Sequence, residues 1–135
     1  MLVTFTVENY KSIRGPVTLS MIAGRERFAS DRLLPVSRYR LRLVTAAMIQ
    51  GGNGVGKSNL VKAFHDAVSL VLLTPQNRQQ LPYSSFRLDN ESSSKPTKFT
   101  FEIMVDSEMY RYTVAYTAQV VRYELLERIR PTKTE

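Results

Sequence analysis

The chain has 135 residues, of which 43% are hydrophobic and 23% are charged, and its formal net charge is +7 at pH 7. This length accommodates one domain with its own core, and the composition argues against a disordered chain. The positive charge favours a negatively charged partner such as a nucleotide, a nucleic acid or an anionic lipid, although many soluble domains are mildly basic.

Cysteine is absent and histidine occurs once. The chain therefore has no disulfide, no thiol nucleophile and no Cys-based or His-rich metal site. The N-terminal segment MLVTFTVENYKS carries polar residues where a signal peptide has an apolar core, and no apolar run approaches the roughly 18 residues of a membrane span. These features predict a cytoplasmic protein without a membrane segment.

Hydrophobic patterning predicts several strands before residue 50. Residues 2–8 and 17–21 alternate between apolar and polar side chains, which is typical of half-buried strands. Residues 44–49, VTAAMI, are apolar almost without interruption. Such a run favours a strand covered on both faces, as in the parallel core of an α/β sheet.

The second half of the chain predicts one helix, one connection and a meander. Residues 57–73 carry apolar side chains at helical spacing, and Thr74-Pro75 supplies a stop. Residues 75–98 are rich in Gln, Asn, Ser and Pro, which predicts a long surface connection that is either functional or mobile. Alternating segments joined by turns such as DSEM then predict three antiparallel strands. They lie at residues 98–105, 110–116 and 120–129.

The segment GGNGVGKS, residues 51–58, fits the pattern GxxxxGK[ST]. Glycines let consecutive backbone N–H groups converge on a phosphate, and the following helix adds the positive end of its dipole. In such a loop Lys57 reaches the β- and γ-phosphates, and the Ser58 hydroxyl ligates Mg²⁺. The predicted strand, loop and helix supply the required context; the alternative interpretation is a glycine-rich turn before a helix.

The segment GGNGVGKSNL resembles the phosphate loop of ABC-type ATPases of the SMC and RecF kind. The opening MLVTFTVENYKSIRGPVTLSMIAGRE resembles that of related bacterial AAA-type ATP-binding proteins, with Asn9, Tyr10, Lys11 and Ser12 matching a segment of that group. The similarity continues through SSFRLDNESSSKPTKFTFEIMVD and so covers essentially the whole chain.

The resemblance implies an α/β fold: the N-terminal lobe of a P-loop NTPase, ABC-ATPase-like, with an antiparallel β-subdomain. Residues 1–135 would form one domain, with the phosphate loop and helix in 1–73, the polar connection in 74–98 and the meander in 99–130. It also implies ATP and Mg²⁺ as cofactors. The alternative interpretation of Lys11 is a solvated turn lysine. The implied binding residues are Gly51, Asn53, Gly54, Gly56, Lys57, Ser58, Asn59, Lys11 and Ser12, with Ser58 also the metal ligand.

Hydrolysis requires a further carboxylate linked to Mg²⁺, and the local candidate is Asp106. Its surroundings favour a hairpin turn instead. His65, beside Asp66, is interpreted as an ordinary helix residue. In the resembling ATPases the signature loop, the Asp-Glu pair and the switch histidine lie far downstream, so this chain is expected to be an N-terminal fragment that binds ATP without efficient hydrolysis. A metal-linked glutamine could be Gln76, Gln79 or Gln80.

Residues 37–43 alternate three arginines, Arg38, Arg40 and Arg42, with apolar residues, which predicts a basic strand face. Such a face suits a phosphate backbone, here DNA, while the alternative is an exposed strand edge kept soluble by charge.

The leading interpretation is an ATPase lobe whose complete form assembles around ATP as a homodimer or a larger assembly. The resemblance links such a protein to DNA repair or anti-phage defence and to an effector protein. One alternative is a catalytically silent nucleotide-binding or assembly module. Another is a nucleic-acid-binding domain whose loop grips backbone phosphate.

Overall fold

The structure, a computed structural model, describes residues 1–24, 30–72 and 81–131. No helix in these ranges is long and apolar enough to cross a membrane. In chain order the strands are β1 (Leu2–Glu8), β2 (Val17–Ser20), β3 (Leu34–Val36), β4 (Leu41–Leu43), β5 (Thr97–Val105), β6 (Glu108–Tyr116) and β7 (Val121–Ile129). Helix α1 (Lys57–Leu72) lies between β4 and β5, and short 3-10 turns occur at Ser30–Arg32, Ser37–Tyr39 and Ser92–Ser94.

Five of the strands form one antiparallel sheet in the order β2-β1-β5-β6-β7. β1 lies inside the sheet, where Phe5 is opposite Leu19 on one side and Phe101 on the other. β5, β6 and β7 form the predicted meander. The strands predicted at both ends of the chain are therefore confirmed, because an alternating pattern directly reports which face of an antiparallel strand is buried.

One face of the sheet is apolar and packs against α1. Phe5, Phe99 and Phe101 lie on this face, and Phe5 meets Phe64 of α1 edge-on with 5.2 Å between ring centroids. Ala63, a residue of α1, is fully buried. Burial of each phenylalanine contributes roughly 1.5–3 kcal/mol. This core fixes the helix whose first turn follows the glycine-rich segment.

The opposite face of the sheet is polar along most of its length. Thr6 and Thr18 share a hydrogen bond of 2.8 Å across β1 and β2, and Glu102 accepts hydrogen bonds from Arg111 on β6. At one end of the sheet, the hairpin of β3 and β4 adds a second apolar cluster. Its buried members are Val3, Leu43 and Met109.

The apolar segment 44–49 is not a strand, so the prediction of a central parallel strand is wrong. One backbone hydrogen bond continues beyond β4, from the N–H of Val44 to the carbonyl of Met21 at 2.8 Å. Residues 45–50 belong to no strand, and Met48 is 80% exposed. An apolar run forms a central strand only where other strands lie on both sides, and the described ranges supply none there. The described fold is mixed α/β with an antiparallel sheet.

The strand predicted over residues 37–43 is also shorter than expected. Ser37–Tyr39 form a 3-10 turn, Arg40 has a left-handed backbone with φ of 54°, and only Leu41–Leu43 are extended. Arg38 is ion-paired with Glu108. The three arginines therefore do not share one strand face, because the left-handed residue interrupts the alternation.

The connection after α1 is irregular where it is described, as its composition predicts, but it is anchored to the sheet. The Asn9 Nδ2 donates hydrogen bonds to the carbonyls of Ser92 at 2.9 Å and Lys95 at 2.8 Å, and its Oδ1 accepts one from the N–H of Phe86 at 2.9 Å. Asn9 is buried and left-handed, with φ of 53°, a conformation that asparagine tolerates. One side chain thus joins the end of β1 to this connection.

Candidate functional site

A glycine-rich loop, residues 51–56, leads directly into α1. Gly56 has a φ of +95°, which residues with a side chain rarely adopt. A Cβ at this position would lie 3.3 Å from the Oγ of Ser12, and one at Gly51 would lie 3.1 Å from the side chain of Val55. Glycine at position 56 therefore permits both the turn of the loop and the close approach of Ser12.

The positive end of the α1 dipole faces this loop. The N–H groups of Asn59 and Leu60 donate to the carbonyl of Gly56 at 3.0 and 3.1 Å. The N–H groups of Lys57 and Ser58 precede these bonds, so the helix does not use them and they can donate to an anion. The first turn of α1 contains no acidic residue that would offset the partial positive charge.

Lys57 folds its side chain back over the loop. Its Nζ donates hydrogen bonds to the carbonyl oxygens of Gly51 at 2.6 Å and Gly52 at 2.5 Å. Charged phosphate oxygens form stronger hydrogen bonds with an ammonium group than neutral carbonyls do. An anion bound at the start of the helix would therefore compete well for these ammonium donors.

The turn that follows β1 lies against the loop and α1. Tyr10 and Ile13 exchange backbone hydrogen bonds of 2.8 and 2.7 Å, and Lys11 between them is left-handed, with φ of 51°. Ser12 follows, and its Oγ accepts a hydrogen bond of 2.7 Å from the Asn59 Nδ2. The structure thus brings together the two sequence segments that were predicted to share one site.

A cleft of about 500 Å³ separates this turn from the loop. Ser12 and Arg14 line one side, and Gln50, Gly56 and Lys57 line the other. Small-molecule sites typically enclose about 300–1,000 Å³. The cleft therefore has the size of a nucleotide site, and the amide donors of the helix start lie at its edge.

Comparison with known families identifies the domain that contains this loop. A family model described as "AAA domain, putative AbiEii toxin, Type IV TA system" matches residues 47–135, which include the loop, α1 and the meander. The chain belongs to this family of AAA domains. The membership implies a P-loop NTPase fold and an ATPase-type protein. No curated protein and no solved structure matches the chain.

In this AAA domain, Tyr10 fastens the N-terminal turn to the helix. Its hydroxyl donates a hydrogen bond of 2.6 Å to the Asp66 carboxylate of α1, and its ring is fully buried. Burial raises the pKa of the Tyr10 hydroxyl well above its usual value, and the hydrogen bond to Asp66 raises it further. The Lys11 ammonium lies 5.2 Å from the centre of the Tyr10 ring. The turn that carries Ser12 is therefore joined to α1 by two hydrogen bonds, from Tyr10 to Asp66 and from Asn59 to Ser12.

The other predicted loop residues of the AAA domain lie at its surface. Asn53, Gly54 and Ser58 are exposed, and Gly54 has a φ of +80°. The Ser58 side chain is open to solvent at the first turn of α1, a position from which a hydroxyl can reach a metal ion. Its role as the Mg²⁺ ligand stays a prediction.

Asp106 does not belong to this site, and its interpretation as a hairpin turn is confirmed. Asp106 and Ser107 connect β5 to β6, with φ of 47° and 68°. This turn lies near the Leu2 end of β1, where Leu2 is opposite Ile103, whereas Ser12 follows the other end. A strand of seven residues spans roughly 20 Å, so Asp106 lies far from the loop.

The remaining sequence candidates add no catalytic group. His65 is an exposed residue of α1 whose Nδ1 lies 3.3 Å from an Asp66 oxygen, which confirms its interpretation as an ordinary helix residue. Within residues 1–24, 30–72 and 81–131, no group of three His, Cys, Asp or Glu could hold a metal ion. The glutamine candidates Gln76, Gln79 and Gln80 lie outside the described residues.

Two basic residues beside the site were not predicted from the sequence to be site residues. Lys62 and Arg87 line a second cleft together with Lys11, Ser12 and Asn59. Lys62 follows Asn59 by three residues and so shares its helix face, a signal that the sequence does contain. The position of Arg87 depends on a backbone hydrogen bond of 3.2 Å from its N–H to the carbonyl of Lys11, which no local pattern reveals.

Proposed function

We propose that residues 51–58 bind the phosphates of ATP together with Mg²⁺. The observation that carries this proposal is the glycine-rich loop at the start of α1, with unused amide donors and Ser12 packed against Gly56. Backbone N–H groups at a helix N-terminus form an anion site without help from side chains. The proposal that the bound nucleotide carries adenine rather than guanine rests on the family and on the resemblance.

Four of the predicted residues contribute side chains to this proposal. Lys57 exchanges the carbonyls of Gly51 and Gly52 for phosphate oxygens, and Ser58 contributes a hydroxyl to Mg²⁺. Asn59 and Ser12 hold the helix and the N-terminal turn together at the edge of the nucleotide. When bound, Mg²⁺ neutralises phosphate charge.

We further propose that the complete protein hydrolyses ATP and acts in DNA repair or anti-phage defence. The resemblance to SMC- and RecF-type ATPases supports the link to DNA, and the family description names a toxin of a toxin–antitoxin system, which is compatible with defence. Two chains would then associate around ATP in the cytoplasm and act on an effector protein. DNA would bind through Arg38, Arg40 and Arg42. Arg40 and Arg42 would contribute most of this contact, because Arg38 is ion-paired with Glu108.

A catalytically silent nucleotide-binding module is the second candidate. The position of Asp106, in the turn near the Leu2 end of β1 whereas Ser12 follows the other end, favours it for the chain in hand. Phosphate release that exceeds the release by a Lys57→Ala variant would exclude this candidate. ATP binding without such release would support it.

The Lys57→Ala variant tests the nucleotide site itself. Loss of charge-assisted hydrogen bonds to phosphate should weaken the binding of Mg²⁺-ATP roughly 10- to 100-fold. Titration with labelled ATP measures the affinity, and circular dichroism checks the fold. Lys98→Ala, at an exposed position of β5, removes the same charge outside the lining of the loop cleft and serves as the control. Equal affinities for wild type and Lys57→Ala would refute the nucleotide site.

A further inference from the structure

A second cleft of about 480 Å³ adjoins the loop cleft and shares Ser12 with it. Its walls come from three segments: the N-terminal turn, the beginning of α1 and the connection after α1. We call it the basic cleft. Its lining residues are Lys11, Ser12, Asn59, Lys62, Arg87 and Leu88.

Three cations meet in the basic cleft, and the described residues that line it include no acid. The backbone holds two of them side by side, because the N–H of Arg87 donates to the carbonyl of Lys11 at 3.2 Å and the N–H of Lys11 donates to that of Ser84 at 2.9 Å. Neighbouring like charges repel each other. A bound anion would turn this repulsion into attraction.

Two acidic residues that are close in sequence to the lining residues have partners of their own. Asp66, one helical turn after Lys62, accepts the hydrogen bond from Tyr10 at 2.6 Å. Asp89 lies 3.1 Å from the guanidinium of Arg14. Among the ion pairs of the described ranges, none includes a cation of the basic cleft. Within these ranges no ion pair with a carboxylate therefore neutralises the positive charge of this cleft, although the Lys11 ammonium also lies 5.2 Å from the centre of the Tyr10 ring.

We propose that Lys11, Lys62 and Arg87 form a second phosphate-binding site, which takes a phosphate group that does not belong to the nucleotide on the loop. Two sources have this chemistry: the backbone of a single-stranded nucleic acid and a small phosphate ligand such as pyrophosphate. The site is separate from the loop because Gly56 and Lys57 line the neighbouring cleft and do not line the basic cleft.

The size and chemistry of the basic cleft suit one phosphate-bearing unit. Lysine and arginine side chains are the usual partners of nucleic-acid phosphates. Leu88, 84% exposed at the edge of the cleft, offers an apolar contact to a sugar or a base. With Ser12 and Asn59 between the two clefts, an anion in one lies next to the occupant of the other.

The double variant Lys62→Ala/Arg87→Ala tests this site. A short fluorescein-labelled single-stranded oligonucleotide is titrated by anisotropy with Mg²⁺-ATP at saturation, and pyrophosphate is titrated by calorimetry under the same conditions. The affinity of each variant for Mg²⁺-ATP is measured separately with labelled ATP. We expect at least roughly fivefold weaker oligonucleotide binding. We also expect the slope of log affinity against log salt to fall by about 1.4, which corresponds to two lost phosphate contacts on a single strand.

The control Arg122→Ala/Arg130→Ala removes two charges from β7 and the residue after it, outside both clefts. It should leave oligonucleotide binding unchanged. Lys57→Ala should lose ATP binding but keep the oligonucleotide, which separates this site from the proposed function of the loop. Should the double variant unfold, the charge reversal Lys62→Glu provides a second test and should weaken binding more than Lys62→Ala.

Each outcome decides the proposal. A loss confined to the oligonucleotide supports the site with a nucleic-acid source, and a loss confined to pyrophosphate supports it with a small ligand. A loss of ATP affinity alone would assign the three cations to the loop nucleotide and overturn the proposal. Unchanged affinity of the double variant for the oligonucleotide, for pyrophosphate and for ATP would overturn it as well.

Discussion

The side-chain amide of Asn59 donates a hydrogen bond of 2.7 Å to the hydroxyl of Ser12, although the two residues are 47 positions apart. This bond joins the turn after β1 to the first turn of α1, next to Gly56. The turn lies outside the segment matched by the family model, which begins at residue 47. The assignment of this turn to the site therefore rests on the structure and on the motif NYKS, and not on the family match.

Asn59→Ala should weaken ATP binding while leaving the fold intact. A hydrogen bond between exposed groups contributes roughly 0.5–1.5 kcal/mol, which corresponds to about a two- to tenfold loss of affinity if the nucleotide needs the turn in place. The higher helix propensity of alanine should offset much of the stability lost with this bond, so the melting temperature should change little. Isothermal titration with Mg²⁺-ATP measures the effect. Asn90→Ala, at an exposed position of the connection, is the control, and equal effects of the two changes would contradict the prediction.

Asn9→Ala should destabilise the protein more than any change in the exposed loop. The substitution leaves the carbonyls of Ser92 and Lys95 and the N–H of Phe86 without their side-chain partner. It also places alanine in a left-handed conformation. A loss of roughly 2–4 kcal/mol is expected, measurable by urea unfolding. A loss below about 0.5 kcal/mol would show that water replaces the asparagine.

Much of the fold follows from local sequence. The alternating segments around Phe5, Phe99 and Tyr112 predict strands correctly, because each strand keeps one face on the core. The loop and the helix from Lys57 also follow from the motif, because glycine, lysine and serine at this spacing carry their chemistry locally. The turn at Asp106 is equally local, since it connects neighbouring strands.

The remainder depends on contacts that no local pattern reports. The apolar run 44–49 has the sequence pattern of a buried strand. A strand forms there only if other strands from elsewhere in the chain pair with it. Arg40 interrupts an alternating pattern by adopting a left-handed backbone. The basic cleft and the role of Asn9 arise from pairing between residues about 75–90 positions apart. Such long-range contacts appear only with the folded chain.

Tyr10→Phe should make stability less sensitive to alkaline pH. Burial and Asp66 raise the pKa of the folded Tyr10 above its unfolded value of about 10. The folded state then holds this proton more tightly, so its contribution is complete below about pH 10 and is lost as the pH rises further. The free energy of unfolding should fall more steeply in wild type than in Tyr10→Phe, by up to about 1.4 kcal/mol per pH unit.

Urea unfolding at a series of pH values from about 8 to 11 measures this difference in slope. Tyr123→Phe removes an exposed phenol from β7 and should match wild type. At neutral pH, Tyr10→Phe should cost about 1 kcal/mol for the lost hydrogen bond to Asp66. Parallel curves for wild type and Tyr10→Phe above pH 10 would exclude a raised pKa.

Ser107→Gly should stabilise the protein without affecting its ligands. Asp106 and Ser107 form a two-residue hairpin turn with positive φ at both positions, a geometry that favours glycine at the second. Relief of the left-handed serine should contribute about 0.5–1 kcal/mol and raise the melting temperature by roughly 2–5 °C. Ser37→Gly, where φ is not positive, should instead destabilise slightly because glycine loses more entropy on folding. Differential scanning calorimetry distinguishes the two. A lower melting temperature for Ser107→Gly would mean that the serine side chain stabilises the turn. The ATP affinity should stay unchanged, because this turn lies near the Leu2 end of β1 and Ser12 follows the other end.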